Sequence, residues 1–271
     1  HFAVKNEGII SAASSLNLNI TTAATTSVDW AGSSGRFNDV TVNHASCIIN
    51  VESTFHIDGH LTITLGKVVC GGNTVEITGR TDIGPASGSA DQATLTCSDS
   101  PISLGSGLTS SHALIVNQGG TFVGGSGAHT IGSIDVKNNS NAKCTLTSGN
   151  TTVDSEKTGD DRNIVIAGSS TFAHGSGTII TTFAGTTHMD VDKTLNNLTI
   201  NHASAVHKLS DSLDMAGNFK ITVGEFQPNG RNLTVAGDCI VGDGSGSADT
   251  AVLTGSSGAM SFGSLTINSG G

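Results

Sequence analysis

The stretch 37–96 occurs twice in this chain. Moved 158 positions along, it aligns without a gap onto 195–254, with roughly a third of the positions identical. Asn43-His44-Ala45-Ser46 falls on Asn201-His202-Ala203-Ser204, and Ser87-Gly88-Ser89-Ala90-Asp91 falls on Ser245-Gly246-Ser247-Ala248-Asp249. Most other positions exchange like for like, as in Val42 with Ile200, Leu61 with Phe219 and Val75 with Leu233. A long copy of this kind constrains the fold, because a unit that cannot bury its apolar face alone must lay it against the next unit.

A finer period runs inside the copied stretch. Ile57-Asp58-Gly59-His60-Leu61-Thr62-Ile63 is echoed by Ile77-Thr78-Gly79-Arg80-Thr81-Asp82-Ile83, and both return around Gly217 and Gly237. The shared pattern is apolar-x-Gly-polar with an apolar residue three places further on. Glycine there permits either a positive φ or a tight corner between two strands. The flanking alternation puts one set of side chains inside and the other in solvent. Short strands, polar corners and no helical periodicity predict an all-β fold, a parallel β-solenoid (β-helix) with rungs of roughly 20 residues. A sandwich, or two in a string, is the competing architecture. It would show hairpin turns, for which Asn229-Gly230 is a candidate; its counterpart is Gly71-Gly72.

The expected organisation is a single continuous solenoid over 1–271. Its internal repeats span about 20–120 and 180–271, and a less regular section, 121–179, connects them. Ile20-Thr21-Thr22 resembles Ile180-Thr181-Thr182, so the copy extends upstream with a small gap, and Trp30 and Phe37 are expected to close an apolar corner. The run 264–271 matches 113–120, after which the first copy continues with Thr121-Phe122-Val123. The expectation is that the chain stops in mid-repeat, with His1-Phe2-Ala3-Val4 resembling what should follow. It is then a piece of a longer fibre, or its copies stack end to end. An uncovered solenoid end exposes unpaired backbone that invites such pairing.

Composition narrows the function classes. Twelve Lys and Arg against 22 Asp and Glu give a net charge of −10, with the basic residues scattered. A nucleic-acid groove needs them clustered. No apolar run is long enough to span a bilayer. The five cysteines, Cys47, Cys70, Cys97, Cys144 and Cys239, do not recur in both copies and are expected to be small core residues rather than a disulfide framework.

Few residues carry a chemical signal. His56, Asp58 and His60 alternate so as to share one strand face and are the weak candidates for a metal site. His44 and His202 occupy matching places and are expected to make a corner hydrogen bond to a neighbouring rung. The run 243–249 fits no calcium loop, and a turn held by Asp91 and Asp249 is expected instead. Glycoside hydrolysis needs two carboxylates flanking the bond. Asp190 with Asp192, or Asp160 with Asp161, are the nearest pairs, and neither comes with an aromatic floor. The charged run 154–162 is expected to be a solvated lateral loop. No catalytic residue and no cofactor are assigned.

At 195–200, 237–242 and 263–271 the chain resembles the β-solenoid segments of phage virion fibre and appendage proteins. It is similar also to bacterial surface adhesins of the filamentous-haemagglutinin type. The resemblance lies in the repeat grammar and carries over no functional residues. It implies an extracellular rod, a virion appendage or a cell-surface filament. The expectation is therefore a non-enzymatic, fibre-forming protein that associates with itself end to end or continues a longer chain. The alternative is an adhesin whose lateral loops bind a cell-surface receptor or glycan, and the third reading is a polysaccharide-degrading solenoid.

Overall fold

In Val40–Val51 and Leu61–Val69, valine, leucine and isoleucine at every second position are buried while the threonines between them are half-buried. This two-residue alternation is what a strand with one wet face requires. A computed structural model describes residues 2–3, 16–29, 35–85, 92–157, 161–245 and 250–271. Among these it contains 27 strands and no helix. All the strands join one long sheet in which every pairing is parallel, the arrangement of a β-solenoid. Asn229-Gly230 makes a turn after Phe219–Gln227, but the strand that follows pairs in parallel with its neighbours, so no hairpin forms there.

The pairings sort the strands into three stacks, visited by the chain in a fixed cycle. The first holds 18–20, 40–42, 61–63, 81–83, 114–116, 134–136, 164–166 and 189–191. The second holds 25–28, 48–50, 67–69, 93–96, 120–123, 143–145 and 171–173. The third runs from 36–37 through 55–57, 75–77, 102–104, 129–131, 151–153 and 179–181 to 198–200, 219–221, 239–241 and 265–267. Spacing between partners is not uniform. Leu61 pairs with Thr81, but Thr81 pairs with Leu114 and Ile134 with Ile164. The longer steps carry the irregular segments 105–113 and 154–157.

The polar corner has a simple cause. The side chains after Gly59 and Gly217 each accept a backbone N–H from the next turn: His60 Nδ1 from Arg80 (2.8 Å), Asn218 Oδ1 from Asp238 (2.8 Å). Asp39 and Asn197 do the same one turn earlier, for His60 and Asn218. None of Gly59, Gly79, Gly217 and Gly237 sits in the left-handed region, so the reason for glycine is close approach. A Cβ on Gly79 would lie 2.3 Å from the carbonyl oxygen of Gly59. Gly66 and Gly224 are different, with φ of 102° and 100°, each turning its strand over the carbonyls of the preceding turn.

Between the stacks runs one continuous apolar core, from Val28 to Ala251. Phe37 packs edge-on against Phe55, and Phe219 against Phe226. Trp30, expected beside Phe37, lies outside the described residues.

Candidate functional site

The outward residues of the first stack form a ladder in the middle of the chain. Ile115 pairs with Asp135, Asp135 with Val165, and Val165 with Asp190. Four strands at about 4.8 Å spacing make a floor about 14 Å long. The loop carrying Ser110, Ser111 and His112 and the segment with Lys157 and Arg162 border it, and the groove so formed has a volume of about 570 Å³. Lys137, Asn138, Ala167 and Asp192 line it where the strands end.

A bulge aims Arg162 into this groove. Arg162 pairs with His188 and Ile164 with Met189, so Asn163 is an extra residue in the ladder. In a strand of regular alternation, Arg162 would share the inward parity of Ile164 and Ile166. Asn163 is buried instead; its amide donates to the Ser155 carbonyl, and its Oδ1 accepts from Thr187 Oγ1 (2.7 Å) and Lys157 N–H (3.2 Å). The expected solvated loop 154–162 is thus pinned at both flanks, although 158–160, with Asp160, lie outside the described residues. Asp161 contributes its carbonyl, which accepts from Thr187 Oγ1 (2.9 Å).

The charged groups form two linked clusters. His112 and Asp135 are both nearly buried, with His112 Nδ1 3.4 Å from Asp135 Oδ2 and its Nε2 2.9 Å from the Arg162 carbonyl oxygen. Lys137 covers Asp135 from the solvent side. Across the groove, Arg162 Nη1 lies 2.9 Å from Asp190 Oδ2. Asp192 accepts the Gly168 N–H at 2.9 Å. Asp211 shares a hydrogen bond with the Asp190 carboxylate. This bond, then desolvation and the negative charges of Asp192 and Asp190, hold Asp211 above the usual carboxylate range, while Arg231 pulls the other way. A second hollow, lined by Asp192, Asp211, Ser212 and Asp214, continues the groove. Asp190 and Asp192, singled out by their spacing, are therefore joined by a third carboxyl. Among the described residues no phenylalanine lines the groove.

Other sequence candidates are engaged separately. His56 Nδ1 lies 2.7 Å from Glu76 Oε2, Asp58 pairs with Arg36 (2.8 Å), and His60 serves the corner described above. Each of the three has its own partner, because Asp58 and His60 lie past the end of strand Phe55–Ile57, where the alternation no longer aligns them. Among the described residues no three His, Cys, Asp or Glu side chains gather as a metal site. His44 and His202 do behave alike, but each accepts the N–H two residues on, from Ser46 and Ser204, both at 3.2 Å; the bond is local rather than to a neighbouring turn. Asp91 and Asp249 lie outside the described residues. Asp243 caps its own turn through Ser245, and those bonds lower its pKa.

His112, Asp135, Lys137, Asn163 and Asp211 were not found from sequence; the two insertions, each lengthening a step of the same stack, were the available signal. Comparison with protein-family models, with curated proteins and with solved structures finds no match to the chain.

Proposed function

We propose that the chain is a β-solenoid with turns of roughly 20 residues in its regular sections, extended by an internal duplication offset by 158 residues, and that it serves as a non-enzymatic, fibre-forming element. A virion appendage or an extracellular filament is the setting that suits it. The observation that carries this reading is the surface of the last described turn. The large apolar side chains exposed among the described residues, Val252, Leu265 and Ile267, all sit there. Ala251–Leu253 and Met260–Ile267 pair with earlier strands on one side only. A further parallel layer, from a second copy or from the continuation of a longer chain, would cover this face and satisfy its edge. Negative-stain electron microscopy and sedimentation test the reading. Rods that lengthen with concentration are expected, and a strictly monodisperse short particle at high concentration overturns self-stacking.

A second reading, an adhesin binding a glycan or receptor laterally, is favoured by one observation. The insertions of the middle section border a single polar groove on one face, as binding loops do on repeat scaffolds. Glycan-array binding by a monomer, lost in Arg162→Ala, would support it. The Asp190–Asp211 pair is the feature a polysaccharide-degrading solenoid would use, and release of reducing or unsaturated ends from a glycan panel would displace the non-enzymatic reading.

A further inference from the structure

Cys70 and Cys97 directly follow paired strands of the second stack, in which Val69 is the partner of Thr96. The Cys70 N–H donates to the Thr96 carbonyl (2.9 Å), so the two cysteines occupy the same interior corner on successive turns. Both are buried, and their Sγ atoms are 3.9 Å apart. Adjacent parallel strands bring such Cα atoms to about 4.8 Å, inside the range a disulfide spans. Two of the other cysteines stand opposite no cysteine: Cys144 pairs with Phe122 and Phe172, and Cys239 with Phe219 and Leu265. Both turns close alike, with the Cys70 carbonyl accepting from Asn73 N–H and the Cys97 carbonyl from Ser100 N–H. The thiols are thus held by the same local geometry in each turn. In the aligned second copy the same places hold Pro228 and Gly255, so this pairing belongs to the first copy alone.

We propose that Cys70 and Cys97 are a disulfide-forming pair, a covalent staple between two successive turns that closes when the chain folds in the presence of an oxidised small-molecule disulfide. One thiolate attacks a sulfur of the oxidant, forming a mixed disulfide and releasing one reduced thiol. The second cysteine then attacks the protein sulfur of that mixed disulfide, releasing the second thiol. Two cysteine thiols lose two protons and two electrons, and the oxidant gains them. The hydrogen bond with the Cys70 sulfur, and then burial, keep the Cys97 thiol well above its ordinary pKa. In the folded reduced chain the pair is therefore slow to react, and closure takes place while the chain is folding or locally open.

The test refolds the full chain from denaturant in a buffer of oxidised and reduced glutathione, traps free thiols with an alkylating agent and digests the product. The expected result is a protein two hydrogens lighter than the reduced form. A single cross-linked species should join the peptides of Cys70 and Cys97, with Cys47, Cys144 and Cys239 alkylated. The oxidised form should melt higher than its own reduced form by several degrees, roughly the shift expected for a closed loop of this length. Cys47→Ser should keep the cross-link and the shift, and Cys70→Ser should lose both. Five alkylated cysteines after oxidation, or a mixture of pairings in comparable yield, overturns the proposal. The mass measurement is made on denatured protein, so a variant that folds poorly still gives an answer.

Discussion

His129 and His207 are imidazoles set among apolar side chains with little to hold a proton there. His129 lies edge-on to Phe122, and neither ring nitrogen has a hydrogen-bond partner of normal geometry. His207 packs edge-on to Phe183; its Nε2 meets Thr181 Oγ1 at 2.9 Å and its Nδ1 has no partner. Burial pushes both down to about 4; for His129 it outweighs a weaker upward pull from the backbone of Gly124 and Ser100. In the unfolded chain both titrate near 6.5. At pH 7.5 they are almost entirely uncharged in either state, whereas below about 6.5 the unfolded chain takes up protons that the folded one refuses. Stability should therefore fall as pH drops from about 6.5 towards 4, by about 2 kcal/mol for each histidine at pH 5. Urea midpoints at pH 7.5 and 5 measure this, and His207→Phe should flatten the dependence if the premise holds. Gly79 gives a second prediction at this scale. A Cβ added there would stand 2.3 Å from the Gly59 carbonyl oxygen, so Gly79→Ala should cost about 1–3 kcal/mol in urea unfolding despite ordinary backbone angles. Sequence pattern marked this glycine correctly but left its reason open, since pattern does not separate a required φ from a close approach.

At the scale of the strand, the bulge in Arg162–Ile166 decides what the groove contains. Replacing Asn163 with leucine would take from the buried Ser155 carbonyl the amide that donates to it, and from the Thr187 hydroxyl one of its two acceptors. It should destabilise the chain by about 2–4 kcal/mol, read by thermal or urea unfolding. The carboxyl cluster should respond separately. The Asp190 hydrogen bond is the largest cause of the raised Asp211 pKa, so Asp190→Asn should bring Asp211 down towards the ordinary carboxylate range. Carboxyl carbon chemical shifts followed through a pH titration would show it, and an unmoved Asp211 would contradict the shared hydrogen bond. Strict alternation made the regular strands legible from sequence, as in Val40, Val42, Leu61 and Ile63. The bulge was not, because a single inserted residue in an irregular stretch changes no composition and appears only in the pairing of Arg162 with His188. Asp190 and Asp192 were noticed for their spacing, while Asp211 is brought to them by the next turn.

For the whole molecule, the two stretches that align in sequence, 37–96 and 195–254, occupy different faces. Residues 40–42 stand in the first stack, yet their counterparts 198–200 stand in the third, because steps of unequal length make 158 residues something other than a whole number of turns. The three faces are near enough in geometry that the same strand sequence serves on either, down to matching register shifts after Val42 and after Ile200. Parallel stacking was legible in the period; this rotation was not, since it depends on the lengths of the steps through the middle section. It also bears on how copies would stack under the proposed fibre reading. A layer added on Met260–Ile267 need only present parallel strands with inward apolar residues at the right spacing, whichever face they come from. Leu265 and Ile267 are the contacts such a layer would cover, at 51% and 66% exposure. Replacing both with lysine should leave thermal unfolding of the isolated particle within about 0.5 kcal/mol, since exposed positions tolerate substitution. It should also abolish concentration-dependent growth in sedimentation velocity, because each stacked layer would then bury unpaired charge. Growth that persists unchanged in the double variant would place the contact elsewhere and remove the last turn from any role in assembly.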